Sequence, residues 1–361
     1  MNKRKISPLF IISLLVFLSV SVALYLSKSS YKIADAINSG ISNTYRKIMA
    51  YVTGAVPFSV FELIVILLPV IIALVVILAV RRARSGVGMS RFILNLLACV
   101  LLILSGHNLA LGVGYNTTPI DKKMDLPIVD VTPDVLASLM TQLRDEVNTL
   151  SEMVEYNPDG SSRSPYTLDE VSEIITGSYD DLSKKYGFAD GFFSRAKPVH
   201  FSGVMSYFGI TGIYTFYTGE ANVNVAYPDY DVVFTAAHEL SHQRGILRED
   251  EANFSAYLLC SESGDDYLRY SAALNLYQYV SSALYRTDSE LYREINATLC
   301  DGAKGDILAS RAVYQKYGDT LIERISTFIN DIFLKSNGTE GVVSYGKVVR
   351  LAVAYYDSLN Q

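Results

Sequence analysis

Several residue types are scarce in this chain of 361 residues, and their scarcity limits what the chain can be. There is no tryptophan, and there are only three cysteines and four histidines. Cys99 falls in a long apolar run, so at most one disulfide, between Cys260 and Cys300, is available outside that run. Two buried free thiols are an equally good interpretation of that pair.

Acidic residues are nearly missing from the first third of the chain. Residues 1–117 contain 11 Lys and Arg but only 2 Asp and Glu, a net charge of +9. Residues 118–361 contain 20 Lys and Arg and 35 Asp and Glu, a net charge of −15. The break indicates two regions with different surroundings. A nucleic-acid-binding protein presents a basic face, so the acidic excess predicts no nucleic-acid partner.

Charged residues are absent from three apolar runs, which cover about residues 9–26, 63–80 and 92–111. The third run contains one titratable residue, His107. A helix needs about 20 apolar residues to cross the hydrocarbon core of a bilayer. The sequence therefore predicts three membrane helices. A cleaved signal peptide is the alternative for the first run, but its apolar core exceeds the usual length of about 7–15 residues.

Basic residues near the runs predict how the chain is oriented in the cell membrane. The segment MNKRK precedes the first run, and RRARSGVGMSR joins the second to the third. Such segments stay in the cytoplasm. We therefore expect a multi-pass protein with a cytoplasmic N-terminus, and with residues 27–57 and those after 112 outside. The outer loop is also basic (Lys28, Lys32, Arg46 and Lys47), and its pattern predicts an amphipathic helix on the membrane surface.

The remaining pattern predicts a mainly α fold with a small β-hairpin or sheet, after the three membrane helices. Residues 1–114 form the membrane region, the proline-rich residues 115–131 a linker, and 132–361 one α+β domain. Thr132 and Thr167 are expected to cap helices, the second with Glu170 in a capping box. The segments GIYTFY and ANVNVAY around TGE predict a hairpin with Gly219 in its turn.

Although histidine is rare, two of the four histidines stand in the stretch AAHELSHQRGILREDEANF. His238 and His242 share one face of a helix, where they could hold one metal ion. Glu239 lies at the edge of that face and could reach a metal-bound water without binding the metal. This HExxH pattern is typical of zinc hydrolases, in which the carboxylate takes a proton from the water. The alternative is a surface helix with two exposed histidines.

A catalytic zinc usually has three protein ligands, and neither His107 nor His200 is an obvious third. On an unbroken helix Glu249 would lie roughly 10 Å along the axis from His242. The helix must therefore end, and Gly245 suits such a turn. A second helix would then return an acid to the metal. Glu249 is the expected ligand and Glu251 the alternative, although acids also favour a helix N-terminus for electrostatic reasons.

The motifs HELSH and EDEAN together resemble the zincin metalloproteases that pair HExxH with a later ExxxD on a second helix. The resemblance implies that His238, His242 and Glu249 bind zinc and that Glu239 is the general base. Asn253 stands where those enzymes have Asp, and it could hydrogen-bond a ligand from outside the metal's own shell. The spacing is shorter than in membrane-bound members of that group.

The segment HELSHQRG is also similar to metzincins, whose motif has a glycine after the second histidine. Their third histidine, however, would correspond to Arg248, which is no ligand. The whole arrangement, three membrane helices followed by FTAAHELSHQRGILREDEANF, resembles an uncharacterised family of bacterial membrane proteins. The likeness is greatest over residues 201–260.

The resemblance also implies how a substrate would bind. In zincins an edge strand beside the active-site helix takes up the substrate backbone by strand addition. The segment TGIYTFYTGEANVN could supply that edge, and Glu220, Asn222 and Asn224 would line the rim of the cleft. A purely structural hairpin is the alternative.

These observations predict a membrane-anchored zinc metallopeptidase with one Zn²⁺ ion. Its partners would be the lipid bilayer and a peptide or protein substrate, and its catalytic domain would lie outside the cytoplasm. The alternative is a catalytically inactive membrane sensor or scaffold of the same fold. Glu239 distinguishes the two, since a scaffold has no need of a general base. A transporter is disfavoured, because His107 is the one residue in the three spans that ionises near neutral pH.

Overall fold

Helices dominate the chain, as the sequence predicts, and the strands form two small sheets. The computed structural model describes residues 7–85, 88–339 and 347–359. The basic segment 1–6 and residues 86–87 of the predicted cytoplasmic loop lie outside the described residues, so the orientation stays a prediction.

Three helices of the described residues are long and apolar enough to cross a membrane, as predicted. They are α1 (Pro8–Ser27), α4 (Val60–Ser85) and α5 (Met89–His107). Helical turns continue α5 to Asn116. Most of their Leu, Ile and Val side chains are exposed on the outside of the protein. Such helices match a lipid environment, because every backbone polar group is bonded within the helix.

The segment between α1 and α4 forms helices α2 (Tyr31–Ile37) and α3 (Asn43–Gly54), joined by a π-helical turn. The predicted helix is therefore present, but it does not simply rest on the membrane surface. Arg46 is fully buried and donates hydrogen bonds to Asn38 and to the carbonyl of Ala110. One face of this segment is thus part of the protein interior, which the prediction missed.

The domain is bonded to the ends of the membrane helices that lie on its side. Asn116, at the end of the turns that continue α5, donates to the hydroxyl of Ser27, the last residue of α1, so these two helices end at the same side. The carboxylate of Glu62, in the first turn of α4, accepts from the backbone N–H groups of His200 and Phe201. Residues 28–59 and the domain therefore lie at the same end of the membrane helices.

The rest of the chain forms the domain. Its helices are α6 (Ile120–Lys123), α7 (Pro133–Ser151), α8 (Leu168–Tyr186), α9 (Ser202–Tyr207), α10 (Asp229–Gln243), α11 (Glu249–Ser261), α12 (Asp266–Thr287), α13 (Ser289–Ala297), α14 (Asp301–Tyr317), α15 (Leu321–Ser336) and α16 (Val348–Leu359). Thr132 caps α7 and Thr167 caps α8 in a capping box, as predicted. Helices α7, α8, α10, α11, α12 and α16 enclose the main apolar core. Cys260 is buried in it, and Cys260 and Cys300 are free thiols.

The segment predicted as a linker, residues 115–131, is partly built into the domain. It contains α6, and Tyr115, Thr117 and Ile120 are buried. The backbone N–H of Ile120 donates to the carboxylate of Glu251. The first half of the predicted linker thus contains a short helix that its sequence pattern did not indicate, and tertiary contacts of its apolar side chains hold it in place.

Strands β1 (Glu155–Tyr156) and β2 (Ser162–Arg163) pair in a loop, and β3 (Ala196–Pro198), β4 (Gly212–Thr215) and β5 (Glu220–Val223) form the second sheet. In the second sheet β5 is central, antiparallel to β4 and parallel to β3. Gly219 adopts a φ of 69° in the turn between β4 and β5, as the hairpin prediction requires. This order leaves β4 at the edge of the described sheet.

Candidate metal centre

The two histidines of the HExxH motif lie one turn apart on α10, with their ring centroids 4.6 Å from each other. Helix α10 ends at Gln243, and Gly245 follows with a φ of 92°. A side chain at Gly245 would collide with the buried Arg46, since a Cβ would lie 2.5 Å from its guanidinium. Glycine therefore permits both the left-handed turn and the close contact that end the helix.

The turn at Gly245 lets α11 return an acid to the histidines. Oε2 of Glu249, the first residue of α11, lies 3.3 Å from Nε2 of His238 and 3.5 Å from Nε2 of His242. The potential ligand atoms of these three residues all lie within 4.8 Å of one another. Two imidazoles and one carboxylate are a typical donor set for a catalytic zinc ion. The structure thus brings together the three residues predicted from the sequence.

Glu251, the alternative third ligand, has a different role in the structure. Its carboxylate lies 2.7 Å from the guanidinium of Arg248 and accepts a hydrogen bond from Ile120. Arg248 in turn donates to the carbonyl groups of Tyr115 and Thr117. Glu251 therefore attaches the chain leaving the membrane to α11, and its use as a ligand is contradicted by these contacts.

His242 and Glu249 shift each other's pKa. Burial acts to lower the pKa of His242, but the carboxylate of Glu249 outweighs it and raises the pKa to about 9. Burial acts to raise the pKa of Glu249, and the two histidines nevertheless hold it well below its usual value. Nδ1 of His242 lies 2.8 Å from the carbonyl oxygen of Ile246, which orients Nε2 towards Glu249. The imidazole of His242 and the carboxylate of Glu249 therefore form a buried charged pair in this fold.

Glu239 is buried beside the histidines, and burial raises the pKa of its carboxyl. Within the described part of the chain its Oε2 atom has no hydrogen-bond partner. Gly212 of the edge strand β4 lies against it, since a Cβ there would be 2.5 Å from Oε1 of Glu239. The carboxyl thus lies between the candidate ligands and the edge strand, with one oxygen available to a further group.

Asn253 lies one turn after Glu249 on α11 and is buried at the wall of the cavity. Its predicted hydrogen bond to a metal ligand is not made, because its Nδ2 has no partner in the residues that the structure describes. Nδ1 of His238 is also buried without a partner among those residues. Buried polar atoms of this kind cost free energy until a water, ion or substrate group bonds to them. Such atoms fit a centre that a metal and its water would complete.

The candidate ligands face a cavity of about 1210 Å³. Residues of β4, α10, α11 and α15 are among those that line it. His107, Leu111 and Tyr115, from the end of the third membrane helix and the turns after it, complete the lining. The volume is sufficient for several residues of a peptide and exceeds that of typical small-molecule pockets.

Glu220, Asn222 and Asn224, predicted at the rim of the cleft, lie in the interior on the central strand or directly after it. The carboxylate of Glu220 lies 2.6 Å from Nζ of Lys197 and accepts from the backbone N–H groups of Val60 and Phe61 at the start of α4. Asn222 and Asn224 bond within the protein. The prediction that they contact substrate was wrong, because β5 is covered on both sides.

Sequence reasoning missed a second polar group in the cavity, around Asp231. Asp231 lies seven residues before His238 on α10 and accepts a hydrogen bond from Ser310. Burial raises the pKa of its carboxyl to about 6. The helical spacing of Asp231, His238 and His242 could have indicated that they share a face. No local pattern indicated that α15 lies across the same cavity.

Fold and site together define a mainly helical membrane protein with a His–His–Glu cluster facing a large cavity. The chain belongs to the DUF3810 family, whose model is described as a protein of unknown function and matches residues 37–353. The match includes the second and third membrane helices and every residue of the cluster. No curated protein and no solved structure matches the chain.

Proposed function

We propose that this protein is a membrane-anchored zinc hydrolase that cleaves peptide bonds. The observation that carries the proposal is the convergence of His238, His242 and Glu249 beside the buried carboxyl of Glu239. A catalytic zinc site typically has three protein ligands with nitrogen or oxygen donors and a fourth coordination position that is open to a cavity, whereas a structural site does not. A purely structural site would have four protein ligands and no need of a cavity.

Zinc, when bound, would lower the pKa of its water and polarise the carbonyl of the scissile bond. Glu239 is the group that would accept the water's proton, because its carboxyl adjoins the ligands and has a free oxygen. The same carboxyl could then deliver the proton to the leaving amine. Its raised pKa suits both steps, since a base that must also act as an acid works best near the ambient pH.

The edge strand β4 supports a peptide as the substrate. Residues Gly212–Thr215 line the cavity next to Glu239, and β4 pairs with β5 on its other side. A peptide that adds to this edge would gain backbone hydrogen bonds and lie across the metal site. Gly212 leaves room for Glu239, which a side chain at that position would displace.

The metal is tested by comparing zinc content in the purified protein and in three variants. We expect about one zinc per chain in the wild type, and loss of zinc in His238→Ala and Glu249→Gln. Glu251→Gln is the matched control, because it removes a neighbouring buried acid that does not face the histidines. Absence of zinc from the wild type would contradict the proposal.

The chemistry is tested with Glu239→Gln, which keeps the shape of the side chain. We expect retained zinc and a loss of peptide-library hydrolysis of about 100-fold to 10,000-fold, the usual contribution of a general base. Activity close to that of the wild type would remove Glu239 from this role. A wild-type protein that binds zinc and hydrolyses no peptide would instead favour the inactive sensor or scaffold.

A further inference from the structure

An exposed apolar surface adjoins the start of the second membrane helix. Phe201, Val204, Tyr207 and Phe208, in and around α9, have exposed fractions between 42% and 54%. The backbone N–H of Phe201 donates to the carboxylate of Glu62 in the first turn of α4. This bond holds the start of the exposed group at the first turn of the second membrane helix.

A second apolar surface lies on α15, next to the end of the third membrane helix. Ile325, Phe328, Ile329 and Ile332 are spaced as one face of a helix, and their exposed fractions lie between 51% and 64%. The ring of Phe333, on the same helix, packs edge-to-face on His107, the last residue of α5, with 5.8 Å between centroids. Helix α15 is thus amphipathic and lies across the end of a membrane helix.

The two surfaces are connected to each other. The hydroxyl of Thr320, the cap of α15, donates to the carbonyl of Tyr207 at the end of α9. A side chain at Gly209 would lie 3.0 Å from Glu323, so the turn after α9 contacts the first turn of α15. We call the eight side chains named in these two groups the apolar collar. Clusters of exposed apolar side chains often mark an interaction site.

The collar also forms part of the cavity lining. Phe208, Ile325 and Ile329 line the cavity that contains the candidate metal site. His107 and Leu111, at the domain end of the third membrane helix, line it as well. The cavity is therefore bounded on this side by residues adjoining the bilayer, and by the edge strand β4 on another.

We propose that the collar lies in the interfacial layer of the bilayer and that the cavity takes its substrate from the membrane surface. The occupant of the collar is lipid, since the surface continues from two membrane helices and amphipathic helices bury their apolar face at this depth. The substrate is then the juxtamembrane segment of a membrane-anchored protein. This second statement rests on the proposed hydrolase function, whereas the first does not.

The absence of tryptophan from the chain allows a direct test of the collar. Phe328→Trp and Val204→Trp each introduce one fluorescent reporter into the protein, which is reconstituted in phosphatidylcholine vesicles with or without brominated acyl chains. Met153→Trp is the control, because Met153 is 57% exposed and lies far from the collar. Met153 is close in the chain to Tyr156, whose ring packs on Gly302 at the start of α14. The other end of α14, about 22 Å away, carries Tyr317, whose ring packs on Tyr207 of the collar.

We expect brominated lipid to quench the two collar reporters at least threefold more than the control. Equal quenching at all three positions would overturn the placement of the collar. Zinc and hydrolysis do not enter this measurement, so its result is independent of the proposed activity.

The substrate class is tested by offering one peptide library in two forms, free in solution and attached to an acyl anchor in the same vesicles. We expect the anchored form to be cleaved at least tenfold faster. Equal cleavage of the two forms would overturn the substrate assignment while leaving the hydrolase function intact. Cleavage of neither form would overturn both, and the quenching result would still decide the collar.

Discussion

Two of the candidate ligands, His242 and Glu249, carry opposite charges that neutralise each other when no metal is bound. Protonated His242 pairs with ionised Glu249, and this pairing accounts for the raised pKa of the histidine and the lowered pKa of the carboxyl. A metal ion must displace the proton, because imidazole binds a metal in its neutral form. Metal binding and proton release are therefore coupled at this site.

The coupling predicts that zinc affinity depends on pH. The pKa of His242 in the metal-free fold is about 9, above its ordinary value of 6.5. Apparent zinc affinity should thus rise with pH, up to about tenfold per unit, and level off near pH 9. Competition with a chelator of known affinity at pH 6, 7 and 8 measures this slope. The same affinity at all three values would show that His242 is neutral in the metal-free protein.

The raised pKa of His242 also makes the stability of the metal-free protein depend on pH. Stability should fall as the pH rises, whereas zinc affinity should increase. Because folding raises the pKa of His242 and lowers that of Glu249, the ion pair contributes its full stabilisation between about pH 4.5 and 6.5, and this contribution is lost as the pH rises from 6.5 through 9. The melting temperature of metal-free protein should fall over this interval. Glu249→Gln removes the partner charge and should abolish this part of the pH dependence. If the melting temperature of Glu249→Gln varies with pH as in the wild type, groups other than this ion pair cause the pH dependence.

Among the elements, the turn between α10 and α11 decides whether the site exists. Gly245→Ala should cost about 1–2 kcal/mol for the left-handed backbone alone, and more for the collision with Arg46. We expect reduced zinc content together with a lower melting temperature. Gly264→Ala is the matched control, because Gly264 has a φ of 74° and an added Cβ would meet nothing within 4 Å. Equal effects of both variants would show that the contact with Arg46 is unimportant.

Strand β5 connects the second membrane helix to the site. Lys197 donates to Glu220 and to the carbonyls of Thr53 and Phe58, while Glu220 accepts from the start of α4. Breaking such a buried pair by Glu220→Gln should cost about 3–5 kcal/mol. We expect a lower melting temperature with unchanged zinc stoichiometry and an unchanged KM in the folded fraction. A raised KM without loss of stability would restore Glu220 as a substrate contact.

For the whole molecule, the domain and the membrane region share an interior. Arg46 packs on Gly245, and the turn at Gly219 lies against Met49 and Ala50 of α3. We therefore expect that residues 118–361 alone fail to fold into a zinc-binding domain. Circular dichroism and zinc content of the excised fragment test this, with the full chain in detergent as control. A soluble fragment that melts cooperatively and holds one zinc would contradict it.

The amino-acid sequence by itself determined the features that depend on neighbouring residues. Uncharged apolar runs are sufficient to predict the membrane helices, because the side chains of such a helix face the hydrocarbon core of the bilayer. Helical spacing puts His238 and His242 on one face, and Gly245 ends their helix. These features are local, so periodicity and backbone conformation were sufficient to predict them.

The tertiary structure alone decided which remote groups meet. The motif comparison favoured Glu249 over Glu251 as the ligand, and the structure adds that Arg248 and the backbone of Ile120 direct Glu251 away from the histidines. Strand β5 became central because β3, from a distant segment, pairs with it. This moved Glu220 into the interior, and the fold likewise set α15 across the cavity. The positions of β5 and α15 depend on partners far apart in the chain, because burial and pairing depend on the whole fold and no local pattern records them.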